Sequence, residues 1–232
     1  MKPRPAVVAF DIIETVFSLE PLRGRLEAVG LRGDVLDVWF AQVLRDAFAL
    51  DATGVYLPFR DVAAGCLEQL LVGHGVPAGQ GHIDHVLAGF AELPPHADAM
   101  AAFRVLREGG SRIVALTNGN AQTTRGLLER AGLLGLVERV TSVEEIRHWK
   151  PRREVYLHAA ASAQVEPSRM ALVAAHAWDI HGAGRAGLTT AFVSRGVPYP
   201  ATMQAPDVVG ETLLDAAHAL MRLAAVATPG AD

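Results

Sequence analysis

Four short apolar runs, each cut off by polar residues, constrain this chain more than any other feature. Ala6-Val7-Val8-Ala9-Phe10 stops at Asp11, and Arg112-Ile113-Val114-Ala115-Leu116 stops at Thr117-Asn118-Gly119-Asn120. Met170-Ala171-Leu172-Val173-Ala174 ends just before His176 and Asp179, and Thr189-Thr190-Ala191-Phe192-Val193 ends at Ser194-Arg195-Gly196. Runs this short and uniformly apolar read as strands buried on both faces, as in a parallel sheet. Helical patterns lie between them, over Ala97 to Glu108 closing at Gly109-Gly110 and over Ala121 to Ala131 closing at Gly132. The alternation predicts an α/β fold: a Rossmann-like parallel sheet with helices on both faces, in three α/β/α layers.

Residues 19–93 follow another rule. Apolar residues recur there at helical spacing, as in Val35, Val38, Trp39, Val43 and Phe48, then from Phe59 to Val72 and from His82 to Phe90. Gly54, Gly73 to Pro77 and Pro94-Pro95 punctuate the stretch. It reads as a helical insertion, so the expected organisation is a core over 1–18 and 94–232 with a helical subdomain over 19–93. The tail from Ala227 to Asp232 is expected to fray.

Composition narrows the class. The chain has 232 residues, half of them hydrophobic and 20% charged, enough for a sizeable core. A formal charge of -4 with acids and bases interspersed argues against a nucleic-acid partner. The single cysteine, Cys66, precludes an internal disulfide and fits a reducing compartment. The apolar stretch before Asp11 is too short for a signal-peptide core, and no run approaches the ~20 residues that span a bilayer. A soluble, cytoplasmic protein without membrane contact is the expectation.

In an open α/β sheet, ligands bind beyond the carboxyl ends of the strands. Asp11 with Thr15, Thr117 with Asn118, and His176 with Asp179 stand there, and Lys150 before Pro151 could reach the same crevice. Two carboxylates, an ammonium and a hydroxyl would suit nucleophilic catalysis, the lysine keeping Asp11 ionised. Singly, each has an ordinary role: a turn cap for Asp11, helix entry for Thr117-Asn118-Gly119, a solvated loop for Lys150, a helix-dipole partner for Asp179.

Their order resembles the haloacid dehalogenase superfamily. The signatures are Phe10-Asp11-Ile12-Ile13-Glu14-Thr15, Ala115-Leu116-Thr117-Asn118-Gly119, Trp149-Lys150-Pro151 and Ala177-Trp178-Asp179. Within it, Ala177-Trp178-Asp179 followed by Gly182-Ala183, and Lys150-Pro151 followed by Tyr156, are similar to the type II 2-haloacid dehalogenases. Residues 19–93 sit where that family inserts its cap. The superfamily's phosphatases carry a second aspartate two residues after the nucleophile, where this chain has Ile13, and bind Mg²⁺ through several carboxylates. Asp179 has no acidic neighbour, so the resemblance implies no metal and no cofactor.

It implies that Asp11 displaces halide from the α-carbon of a small (S)-2-haloacid, forming an ester that water hydrolyses to a 2-hydroxy acid. Thr15 and the backbone after Asp11, beginning at Ile12, would hold the nucleophile and the oxyanion. Thr117 and Asn118 would bind the substrate carboxylate, with Phe40, Tyr156 and Trp178 around it. Lys150 would keep Asp11 ionised, Asp179 would position Lys150 or the hydrolytic water, and a homodimer is implied.

Three positions depart from the family. Its cap places a halide-binding arginine after a tryptophan; after Trp39 this chain has Phe40, and Arg45 could compensate only by pointing inward. Ala174 and His176 stand where the last motif usually has serine and asparagine. His176 could orient water, act as base, donate to a leaving group or be structural. Glu14 replaces a glycine and could pair with a helix or bind an ammonium-bearing substrate. Two alternatives therefore stand beside the dehalogenase: a related hydrolase with a non-halide leaving group, such as one opening a strained-ring amino acid, and a non-enzymatic binding protein of the same fold.

Overall fold

A computed structural model describes residues 2–224, so the tail from Ala227 to Asp232 lies outside the described residues. The chain begins with β1 (Val7–Phe10) and then runs through four helices, α1 (Leu22–Ala28), α2 (Val35–Ala52), α3 (Phe59–Gly73) and α4 (Gln80–Ala88), before a 3₁₀ turn at Gly89–Ala91. It continues as α5 (Ala99–Glu108), β2 (Arg112–Thr117), α6 (Ala121–Arg130), β3 (Arg139–Ser142) and α7 (Arg153–Ser162). The last elements are β4 (Met170–Ala174), α8 (Ala177–Arg185), β5 (Thr189–Val193), β6 (Val208–Gly210) and α9 (Leu213–Met221).

Every strand pairing is parallel, in the order β3-β2-β1-β4-β5-β6. This is the expected Rossmann-like sheet. The four apolar runs form its interior, and side chains of β1 explain why they must be apolar throughout. Val8 and Phe10 enter one core cluster with Phe103, Leu127 and Leu220, while Val7 and Ala9 enter another with Val155, Tyr156 and Ile180. Both faces of the strand are dry. Phe10 lies 4.4 Å, centroid to centroid, from Phe103 of α5. Truncating a phenyl ring so enclosed costs about 3–5 kcal/mol.

The sheet has two strands beyond those runs, β3 and β6, one at each edge. An edge strand meets partners on one side only and needs no uniform apolar run. Arg139 and Val209 are exposed accordingly. The insert between β1 and α5 is helical, and its buried stripe runs through Trp39, Val43 and Ala47 of α2. Val38, on the same helix, is 53% exposed and stands outside that stripe.

Register brings the chemistry together. Phe10 pairs with Ala115 on one side and Val173 on the other, so β1, β2 and β4 finish nearly level. The chain leaves β1 toward β2 and β3, then crosses back to β4, β5 and β6. The crevice of such a sheet opens where strand order reverses, here around β1.

Candidate active site

Asp11 is the first residue after β1, and its backbone N–H still donates to Val173 O at 3.0 Å, extending the β4 pairing. The carboxylate is therefore fixed in direction. Lys150 Nζ donates to Asp11 Oδ1 at 2.7 Å and to Asp179 Oδ2 at 2.7 Å, and also reaches Leu116 O at 3.2 Å. Thr15 Oγ1 donates to Asp11 Oδ2 at 2.6 Å while accepting from Ala175 N at 2.9 Å. His176 Nδ1 lies 3.2 Å from the same Asp11 oxygen.

Lys150 is fully buried, an expensive place for an ammonium unless it is compensated. Its three hydrogens find two carboxylates and a carbonyl. Burial pushes the Lys150 ammonium down, and Asp11 and Asp179 outweigh it and hold the group above its ordinary value. Burial pushes Asp11 up, but Lys150 and then His176 prevail, keeping it well below the usual carboxylate range. At Asp179 the balance goes the other way: burial and the nearby charge of Asp11 raise it despite the Lys150 ammonium. Two carboxylates sharing one ammonium are driven apart in acidity. Asp11 is the more acidic of the two.

The supports are local. Asn118 Oδ1 accepts from Lys150 N at 3.0 Å, fixing the start of the Lys150-Pro151 turn. Helix entry falls to Asn120 rather than to Thr117-Asn118-Gly119: its Oδ1 accepts from Gln122 N and Thr123 N, capping α6. Tyr156, fully buried on α7, donates to Asp179 Oδ1 at 2.6 Å; it stands behind the site and not in its cavity. Gly182 permits this approach of α8. A Cβ there would come within 2.6 Å of Pro151 Cβ and 2.7 Å of the Tyr156 hydroxyl.

Above Asp11 is a small cavity lined by Ile13, Phe40, Leu44, Phe59, Thr117, Asn118, Gly119, His176 and Trp178. Thr117, Asn118, Phe40, His176 and Trp178 thus converge with Asp11 as the sequence suggested. Ile12 differs: its side chain is fully buried in the core, and Ile13 lines the cavity instead. The His176 ring stacks on Trp178 at 5.3 Å and lies 5.9 Å from Phe40.

The departures resolve simply. Arg45 is exposed and pairs with Asp46 at 2.7 Å, away from the cavity. Glu14 occupies the left-handed region at φ 66°, which is why a glycine suits this turn. Its Oε1 accepts from Leu19 N at 2.7 Å, so it braces the entry to α1. Among the described residues, no three His, Cys, Asp or Glu side chains converge on one point.

One positioning group escaped the sequence reading. Asp51, near the end of α2 and almost fully buried, accepts from Trp149 N at 3.2 Å and His148 Nδ1 at 3.0 Å, with Arg152 Nε 3.4 Å away. The helical insert therefore grips the loop that carries Lys150. The signal was present in the spacing Trp39, Val43, Ala47, Asp51, four positions of one buried stripe ending in an acid.

The chain is 28% identical over 166 residues to (S)-2-haloacid dehalogenase 1 of Pseudomonas sp. strain CBS-3, covering 72% of this chain and 73% of that one. A solved L-2-haloacid dehalogenase superposes with a TM-score of 0.88 at 27% identity, over 95% of this chain and 99% of the other. The L-2-haloacid dehalogenase of Xanthobacter autotrophicus, solved with chloropropionic acid covalently bound, shares the fold at a TM-score of 0.87 and 22% identity, over 95% and 100% of the two chains. The family model for haloacid dehalogenase-like hydrolases matches residues 6–187, and the chain belongs to that family.

Proposed function

We propose that the protein is a metal-independent 2-haloacid dehalogenase acting on small (S)-2-haloacids through an ester on Asp11. The observation that carries this reading is the Lys150 ammonium, 2.7 Å from both Asp11 and Asp179 and fully buried. It holds Asp11 ionised for attack, while Ile13 stands where a magnesium-dependent relative carries its proton donor and Asp179 has no acidic neighbour to add oxygen ligands for a divalent cation.

In the first step an Asp11 oxygen attacks the α-carbon from the side opposite the halide. The C–O bond forms as the carbon–halogen bond breaks, and halide leaves with its electron pair. Asn118 and the backbone around Gly119 hold the substrate carboxylate, while the aromatic wall excludes water. In the second step water adds to the Asp11 carbonyl carbon, the oxyanion being met by Lys150, Thr15 and the backbone after Asp11. His176, hydrogen-bonded to Asp11 and partly solvated, takes the proton from that water. Collapse breaks the ester, the departing alkoxide oxygen takes the proton back from His176, and a 2-hydroxy acid leaves with a solvent oxygen left on Asp11. The helices over residues 19–93 act as the cap that closes this space, and a cytoplasmic homodimer is the proposed working form.

Release of halide from 2-chloropropionate without added Mg²⁺, together with ¹⁸O incorporation into Asp11 during single turnover in labelled water, is the expected result. Label appearing only in product during that first turnover would overturn the covalent route. Accumulation of 2-hydroxy acid with no halide released would move the reading to another leaving group.

A further inference from the structure

The cavity over Asp11 is far too small for the substrates it would serve. Its volume is about 20 Å³, room for little more than a water molecule. A second cavity of about 400 Å³ adjoins it and shares Ile13, Phe59 and Gly119 as lining. That volume lies within the ~300–1,000 Å³ range of sites that take whole small molecules. It opens between α3 and α4 on one side and α6 on the other.

Its interior and rim differ in chemistry. Phe59, Leu87, Phe90 and Leu127 form an apolar interior, the last three buried against the core. The rim carries Asp61 and Glu144, and Arg60 beside them is engaged with Asp84 at 2.6 Å. Glu144 accepts from Asn120 Nδ2 at 3.1 Å. A second carboxylate would meet this rim unfavourably, whereas an apolar chain would exchange water for hydrocarbon walls.

We propose that this adjoining cavity is the subsite for the substituent on the substrate's α-carbon, so that the preferred substrates are 2-substituted monocarboxylic acids bearing a medium-chain alkyl or phenyl group. The inference rests on the placement of the substrate carboxylate and α-carbon in the reading above. Gly119 belongs to both cavities: a carboxylate bound at the Thr117-Asn118-Gly119 turn puts the α-carbon between Asp11 and the Ile13–Phe59 gap. A substituent directed through that gap enters the larger space. A methyl group leaves it filled with water.

Two series test this independently of each other. Calorimetry with unreactive straight-chain acids, from propionate to octanoate, should show affinity rising about fourfold per methylene. That follows from about 0.8 kcal/mol per buried CH₂ at about 1.4 kcal/mol per tenfold. Ala88→Trp fills the cavity from an exposed position and should flatten the series, and Thr123→Trp is the second variant should the first misfold. Adipate, with a carboxylate at the far end, should bind no better than propionate. A flat series in the unaltered protein, or a rise that both tryptophan variants leave intact, would overturn the subsite. Halide release from 2-chloro acids of the same lengths tests the reaction: a rising affinity series with no halide from any acid removes the dehalogenase reading and leaves the subsite standing.

Discussion

Below the cleft, Lys150 has every hydrogen assigned to an oxygen of Asp11, Asp179 or Leu116; above it, Phe40, Leu44 and Phe59 present only carbon. Both surfaces line one small space, yet they are built for different ends. The lower surface is over-determined: Asp11 has three side-chain partners, and Asn118, Tyr156 and Asp51 fix the parts that hold those partners. Rigidity there keeps one charge in one place. The upper surface offers shape without hydrogen bonds, so it decides what fits and what leaves rather than how the bond is made.

The largest effect should come from Asp11→Asn, which removes the proposed nucleophile while keeping the volume. Halide release should fall on the order of 10⁴- to 10⁶-fold, with an unchanged circular dichroism spectrum; retained activity without deamidation would break the division drawn here. Lys150→Met comes next. It leaves two buried carboxylates facing one another, and loss of one partner from a buried pair costs about 3–5 kcal/mol. Thermal unfolding should fall by roughly 10 °C at this chain length, and turnover should vanish with it. An unchanged melting temperature would mean the lower surface is looser than its distances imply.

The upper surface responds in the opposite sense. Phe40→Arg places a guanidinium beside the leaving group, and a hydrogen bond to a charged group contributes about 1.5–3 kcal/mol. Chloride release should therefore gain about 10- to 100-fold at constant stability. A loss would show that the aromatic wall is matched to something other than halide. Smaller again is Asp51→Asn, which keeps an acceptor for Trp149 N but weakens the contacts to His148 and Arg152. A several-fold drop in kcat with KM unchanged is expected, since the loop carrying Lys150 loosens while the cavity does not.

The smallest effect is on pH dependence, and its sign follows from the two carboxylates. Asp11 is lowered on folding, so its contribution to stability is complete above the ordinary value of about 3.9 and fades as pH drops through the lowered one. Asp179 is raised, so its contribution is present below that ordinary value and declines as pH climbs through the raised one. Chemical denaturation between pH 3 and 7 should therefore be flatter than for Lys150→Met, in which Asp11 loses the partner that lowers it. Steep acid unfolding of the unaltered protein near pH 4 would contradict the assignment.

The lower surface was legible in the sequence because its residues terminate buried strands, and an apolar run ending in Asp, Thr or His marks position and exposure together. Ile12 and Ile13 show the limit: alternation past a strand end is set by the turn, and the two neighbours face opposite ways. Tyr156 was placed in the cavity by resemblance, whereas its helix lies under the sheet and delivers the hydroxyl to Asp179. The upper surface was less readable. Phe59 and Leu44 sit on amphipathic helices, where an inward residue can meet either the core or the cleft, and sequence period does not separate the two. Asp51 shares that ambiguity, because an acid in a helix is ordinarily solvated. β3 and β6 were invisible for the corresponding reason at the sheet edges.

The sharing of one ammonium between two acids has a consequence for the timing of the cycle. In the resting protein two acids share one ammonium, and burial with the nearby charge of Asp11 holds the Asp179 carboxyl above its ordinary pKa. On the proposed route, alkylation of Asp11 would cancel one charge and relieve Asp179, leaving it in a balanced couple with Lys150. The covalent stage would then be the electrically settled one, and the empty enzyme the tense one. Such a protein should linger in the middle of its turnover, with the arrival of water, not the departure of halide, setting the pace.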